Sequence, residues 1–377
     1  MKINEHIKIF EAFSEIKGMG GVSNKWAETG NCQFIDYMNV YKHIMIDVND
    51  LPFATVKNMN QDTLQCGDVL FTSASEVPDE CAIAAEIEDN IQEGIFLDDH
   101  LFGLRLNSLY KDKVVKGYLK YYFRSENFRK QVFKAVRGVT RFYIAKPYFM
   151  NLQLPLPPLA IQTRIVEILD HFTNLTANLT AELNLRRKQF EHYREKLLSL
   201  DGVEGVEWKK LGEVCDVVVG GEPPKDVTIE KDDNHPFPIW GNGKDIYGFC
   251  NSYKIECDAV AISSIGANTG AIFFHQAYFT PIIRLKVLLP KDEKLVSRYL
   301  YYACSKIDFK SKKSSVPNMS AADVKSKKIP IPPLATQHSI VSILDKFTAL
   351  IENIEKELAL RQKQYEYYRE ELLRFGG

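Results

Sequence analysis

Residues 154–200 and 329–375 are two copies of one segment, with 27 of 47 positions identical and no gap, at a constant offset of 175 residues. A period that long excludes a solenoid and describes a module present twice. Each copy reads as one long helix. Pro158 and Pro333 stand where a first-turn proline costs no hydrogen bond, and no glycine or proline follows until Gly202 and Gly376. Apolar residues recur mostly at steps of four and three, the pattern of a coiled-coil seam, with one extra step of four between Leu175 and Leu183. The seam runs through Ile165, Phe172 and Leu179 in the first copy and Ile340, Phe347 and Ile354 in the second. Arg186 and Arg361 take matching seam positions, placed to pair with nearby carboxylates and fix register. A helix of this kind is a rod of roughly 60 Å.

A rod with an apolar stripe needs a partner, and the chain carries a second rod. The favoured arrangement pairs the two helices antiparallel within the chain. Packing of each helix on its own domain, or pairing with another chain, stays open. The segments before and between the rods have strand-like texture, with Asp68–Thr72 and Ala259–Ser263 as short strands. Helical stretches at Tyr118–Phe128 and Ser297–Ser305 precede each proline box. The expected fold class is α+β, two globular domains and two long antiparallel coiled-coil helices in a pseudo-two-fold internal repeat. The expected boundaries are 1–153, 154–200, 201–328 and 329–377.

The formal net charge of the 377 residues is −1, which conceals strong local bias. Residues 111–146 hold eleven Lys/Arg against two acids, and 76–99 hold nine acids and no base. Residues 306–328 hold seven lysines against two acids. Arg124, Arg129, Lys134, Arg137, Arg141 and Lys146 are interleaved with Phe128, Phe133, Phe142 and Tyr143, a mixture suited to tracking phosphates. A solvated helix face is the bland alternative for any one such run. The two runs precede the two proline boxes at equivalent places, which favours a nucleic-acid surface.

Motifs for chemistry are absent. Gly241-Asn-Gly243-Lys244-Asp245 fails the P-loop spacing. None of the Pro-Pro pairs has the Asn/Asp-Pro-Pro-aromatic form of an adenine methyltransferase, and Pro78-Asp79 lacks the following acid and lysine of a restriction-type nuclease. His171, His192 and His338 fall on the rods. Seven cysteines without a C-x-x-C, the closest pair being Cys250 and Cys257, imply reduced thiols and a cytoplasmic location. No apolar run reaches the length of a membrane span, and MKINEHIKIFEAF has no secretory signal character. The chain reads as a binder with no metal of its own.

The doubled box P-x-P-P-L-A-x-Q, followed by I-V-x-I-L-D-x-F, closely resembles the conserved regions of the DNA-specificity subunit of type I restriction–modification enzymes. Trp208-Lys-Lys-Leu211-Gly212-Glu213-Val214, Cys257–Ser263 with Gly266 and Gly270, Val316-Pro-Asn-Met-Ser320 and Gly138-Val-Thr-Arg141 fit the same family. The first half departs from it, lacking the Trp-x-x-Leu-Gly-x-Val opening of the second. The resemblance implies two target-recognition domains, each reading one half of a split asymmetric DNA site, with the helices setting the spacer. It also implies two methyltransferase subunits docked on the helices, motor-nuclease subunits joining for restriction, and bacterial defence as the role. S-adenosylmethionine, ATP and Mg2+ would sit on those partners and none on this chain, which is not catalytic alone. Arg137, Arg141, Lys310, Lys312 and Lys313 are the residues expected near DNA. A protein-binding scaffold, and a self-sufficient enzyme with divergent motifs, are the competing readings.

Overall fold

The computed structural model describes residues 5–309 and 319–375. It divides into two compact units, Met1–Thr180 with Glu357–Gly377, and Ala181–Lys356. The chain therefore leaves the first unit along one long helix and returns to it along the other.

Each unit is built on a four-stranded antiparallel sheet with the same order. In the first unit the strands run 13–17, 101–106, 69–72, 84–86; in the second they run 215–219, 286–290, 259–262, 272–275. Val69–Thr72 and Ala259–Ile262 lie inside these sheets, and every residue in them is buried. The first unit adds a sheet ordered 22–27, 53–56, 32–35, 95–97. A short sheet there joins 136–137, 142–144 and 74–75. In the second unit, 246–250, 237–240 and 280–281 form the additional sheet. The stretch expected as one helix over Tyr118–Phe128 is two, Tyr118–Tyr122 and Glu126–Phe133, because the Ser125 hydroxyl accepts the Phe128 N–H and starts a new helix.

The opening that the first half was expected to lack exists in other residues. Strand 5–8 pairs antiparallel with 153–156, His6 opposite Pro155, as 207–210 pairs with 328–331, Trp208 opposite Pro330. A four-residue helix follows in each. Lys8 N–H donates to Glu11 at 3.3 Å in one, and Lys210 N–H to Glu213 at 3.0 Å in the other. Ile9 and Leu211 are both fully buried at the same step. Pairing and one apolar anchor define the motif, so Ile9 serves where Leu211 does.

The long helices run Leu159–Leu197 and Leu334–Leu372. In the second unit Tyr193 stacks on Phe347 at 5.2 Å and Arg187 pairs with Glu355 at 2.6 Å, so residue numbers rise in one helix as they fall in the other. In the first unit Phe172 stacks on Tyr368 at 5.3 Å in the same antiparallel sense. Intramolecular pairing and packing on the domains occur together. At the helix starts, Gln162, Ile165 and Leu169, and equally Gln337, Ile340 and Leu344, turn into the globular cores. Ile165 and Ile340, expected on the helix seam, are thus core residues of their own units, while Ile161 and Ile343 stay exposed. Arg186 pairs with Glu182 at 3.4 Å and Arg361 with Glu357 at 2.7 Å, each on its own helix. Leu179 is half-buried and Ile354 buried. Among the described residues no helix is long and apolar enough to cross a membrane.

Candidate nucleic-acid interface

A surface that binds a polyanion needs cations free to meet it, and part of the charge in the first unit is built into the scaffold. The basic stretch 111–146 and the acidic stretch 76–99 lie against each other. Lys120, almost wholly buried, contacts Glu88 at 2.5 Å and Asp170 at 2.9 Å. Arg124 donates to the carbonyls of Ala84, Val40 and His43. Arg129 does the same for Ala82, Asp79 and Cys81. Burial holds both guanidiniums below their ordinary pKa, Arg124 at about 10. Lys146 is paired with Glu15. Arg124, Arg129 and Lys146, expected on a phosphate-tracking surface, are therefore parts of the scaffold.

Glu86 faces the same seam from the acidic side. Its carboxylate accepts the N–H of Gly117 at 3.0 Å and of Lys120 at 3.1 Å. Burial outweighs those bonds and raises its pKa to about 7.

Lys111, Lys113, Lys116 and Lys134 are exposed and unpaired with acids among the described residues, and so is the hairpin that joins 136–137 to 142–144. Gly138, at φ +114°, makes its turn, and a Cβ there would lie 2.1 Å from the Arg141 carbonyl. Arg137, Val139, Arg141 and Tyr143 are exposed on it. The Arg137 guanidinium lies 4.8 Å from the Tyr148 ring centroid and donates to the carbonyls of Lys134 and Val136 at 2.8 Å. Beside the hairpin is a cleft of about 660 Å³, lined among others by Tyr37, Tyr41, Glu80, His100 and Arg141. Tyr41 and Ser75 hydroxyls donate to Glu80 at 2.7 and 2.8 Å and hold its carboxyl below the usual range.

Among the described residues, the one carboxylate–imidazole cluster with metal-ligand spacing is Asp98, Asp99 and His100. The Lys25 ammonium lies 3.3 Å from Asp98 and pairs with Asp99, so a cation of the chain already answers those acids.

In the second unit Lys306 pairs with Glu195 at 3.0 Å and Lys327 donates to the Asp308 carbonyl at 3.0 Å, while Lys325 and Lys328 are exposed. Lys310, Lys312 and Lys313 lie outside the described residues, as does most of Val316–Ser320.

Charge counting missed how the globular domains grip the rods. The Gln162 side chain is fully buried, accepts the Val115 N–H at 2.9 Å, and donates to the carbonyls of Lys113 and Pro157 at 2.9 and 2.8 Å. Gln337 repeats this with Val296, Lys294 and Pro332 at 2.9, 2.8 and 2.9 Å. Two turns further, Asp170 accepts from Tyr121 at 2.6 Å and from Lys120. Asp345 accepts from Tyr302 at 2.5 Å and from Arg298 at 2.7 Å. The signal was present in the repeat, since Gln and Asp are identical in both copies at positions where a surface helix needs neither.

Comparison with known proteins agrees with this doubling. The family model "Type I restriction modification DNA specificity domain" matches twice, over residues 27–185 and 203–360. A type I restriction enzyme specificity subunit of Escherichia coli is 39% identical over 251 residues, covering 59% of this chain and 61% of that protein. A putative type I specificity subunit of Mycoplasma pneumoniae is 32% identical, covering 60% and 64%. Both alignments span less than two thirds of the relative's length. A putative type I restriction enzyme specificity subunit of Haemophilus influenzae is 34% identical over 294 residues, covering 71% and 74%. The crystal structure of a type I restriction–modification S subunit from M. genitalium has the same fold, with a TM-score of 0.69 at 18% identity, covering 99% of this chain and 97% of that one.

Proposed function

The chain belongs to the type I restriction modification DNA specificity family, and on that premise we propose that it is the DNA-specificity subunit of a type I restriction–modification complex. Each globular domain reads one half of a bipartite asymmetric site in double-stranded DNA. We assign 1–153 and 201–328 as the recognition domains, and 154–200 and 329–377 as the conserved helices. The chain has no catalytic role alone: adenine-N6 methylation belongs to two methyltransferase subunits docked on the helices, and cleavage to motor-nuclease subunits. S-adenosylmethionine, ATP and Mg2+ belong on those partners.

The observation that carries the proposal is the doubled lock. Two sheets of the same order are fastened to two copies of one helix by the same glutamine and aspartate bonds. Such a device fixes the orientation of each domain on a stiff element, which a reader of two separated half-sites requires. Each helix of 39 residues is about 58 Å long, against about 34–36 Å for one turn of DNA. The exposed Arg137 and Arg141 suit phosphate or base contact, with the lysine runs positioning rather than specifying.

Binding of the purified chain to duplex DNA, measured between 50 and 200 mM salt, tests the charge reading. Affinity should fall steeply and linearly in log–log form. Affinity independent of salt, or binding to protein partners and not to DNA, contradicts it.

A further inference from the structure

In the second unit the central strand 286–290 is preceded by a tight turn, Ile282–Leu285, closed by the Leu285 N–H to the Ile282 carbonyl at 3.1 Å. Its two inner residues, Ile283 at φ +50° and Arg284 at φ +59°, are both left-handed. That is the backbone of a mirror-image turn, whose preferred inner pair is Asn-Gly. A β-branched residue and an arginine there are strained.

The strain is held from every side. Ile283 and Arg284 N–H groups donate to the carbonyls of Gly221 and Gly220 at 2.8 and 3.0 Å. The Ile283 carbonyl accepts from the Asn242 amide, and the Arg284 carbonyl from the Ser264 hydroxyl at 2.6 Å and the Lys286 ammonium at 2.9 Å. Gly220 lets the backbones meet, since a Cβ on it would lie 2.7 Å from Ile282. Strain that is over-determined in this way marks positions kept for what the side chain does.

The Arg284 side chain is exposed and has no acid or hydrogen-bond partner among the described residues. Beneath it Lys286 is buried, also without an acid within salt-bridge distance among the described residues, and burial together with Arg284 lowers its pKa. The exposed Arg284 and Ile283, with the buried Lys286 ammonium braced on the Arg284 carbonyl behind them, form a cationic tip. The matching turn of the first unit, Asp98–Leu101, closes the same way at 3.0 Å and puts His100 on the rim of the cleft that holds Arg141.

We propose that Arg284 is a specificity-determining residue of the second recognition domain, its guanidinium fork taking O6 and N7 of one guanine in the major groove. The fork on guanine is the commonest specific arginine contact, and a fixed backbone places it without loop ordering. The inference rests on the specificity-subunit reading above.

The test co-expresses the full chain with its methyltransferase subunit and maps N6-methyladenine for wild type, Arg284→Ala, Arg284→Lys and Arg284→Gly. Wild type must methylate a split motif; if it does not, the function and the inference both fall. With that motif in hand, all three variants should lose discrimination at one G·C pair of one half-site, by roughly 5- to 150-fold. The other half-site and the spacer should be unchanged. Lysine keeps the charge and glycine the turn, so recovery of full discrimination by either overturns the guanine fork. An unchanged motif in all three overturns it as well. Should a variant abolish methylation, competition between oligonucleotides for the purified complex decides. Weakening confined to one base pair supports the proposal, and uniform weakening with a shallower salt slope makes Arg284 a phosphate contact.

Discussion

Gln162 and Gln337 show how much one buried side chain can hold. Each answers one N–H and two carbonyls at the junction of a domain and its helix. Removing the amide strands polar groups in the interior, each at about 1–3 kcal/mol. Gln162→Ala or Gln337→Ala should therefore cost about 3 kcal/mol or more, seen as a lowered denaturant midpoint at unchanged slope; a loss below about 0.5 kcal/mol would mean that these bonds do not lock the domains to the helices. His275 gives a pH dependence of known sign. It stacks on Trp240 at 4.3 Å, is only 6% exposed, and burial pushes it down to about 4. The unfolded chain takes up a proton near the ordinary imidazole value while the folded one does not. The second unit thus keeps this stability above about pH 6.5 and loses up to about 3 kcal/mol as pH falls towards 4. His275→Phe should flatten that limb in denaturation followed from pH 7 to 4.5; an unchanged limb contradicts the assignment. Glu86 in the first unit acts oppositely, since a carboxyl raised to about 7 stabilises below about pH 4.5 and the gain fades as pH rises through 7.

At the scale of elements, the two helices carry their meaning in pairs of matched residues. Asp170 and Asp345 each draw in a tyrosine hydroxyl and a cation from a domain helix. Asp345 and Arg298 are partly exposed, which limits that ion pair. Asp345→Asn should cost about 1 kcal/mol, with a coupling to Tyr302→Phe measurable in a double-mutant cycle. Additive effects would mean that the hydroxyl and the carboxylate do not act together. The repeat made the helices and their antiparallel partner legible from sequence, because periodicity and identity are local. The domain-facing stripe through Leu169 and Leu344 was not, since apolar spacing on a helix cannot say which of two apolar neighbours claims each face. Charge runs misled for a related reason. The partners of Arg124 are backbone carbonyls 40 to 84 residues away, and nothing near it in sequence records them. Arg284 stood in no basic run, and an Ile-Arg pair carries no turn signal at all.

For the whole molecule, the proposed function makes the helix pair a ruler and the globular domains its two readers. Inserting one heptad after Leu179 and another after Ile354 keeps the seam phase and lengthens both helices by about 10 Å. The spacer of the recognised site should grow, by no more than about three base pairs, with both half-sites unchanged. Altered half-sites with the old spacer would contradict the ruler. In the proposed function, this chain chooses where its complex methylates. A genome-wide map of N6-methyladenine in the host, with and without the gene, tests it most directly. Without the gene, methylation should vanish from one split, asymmetric motif and stay elsewhere. A map identical in the two strains, while the methyltransferase subunit is expressed, would contradict it.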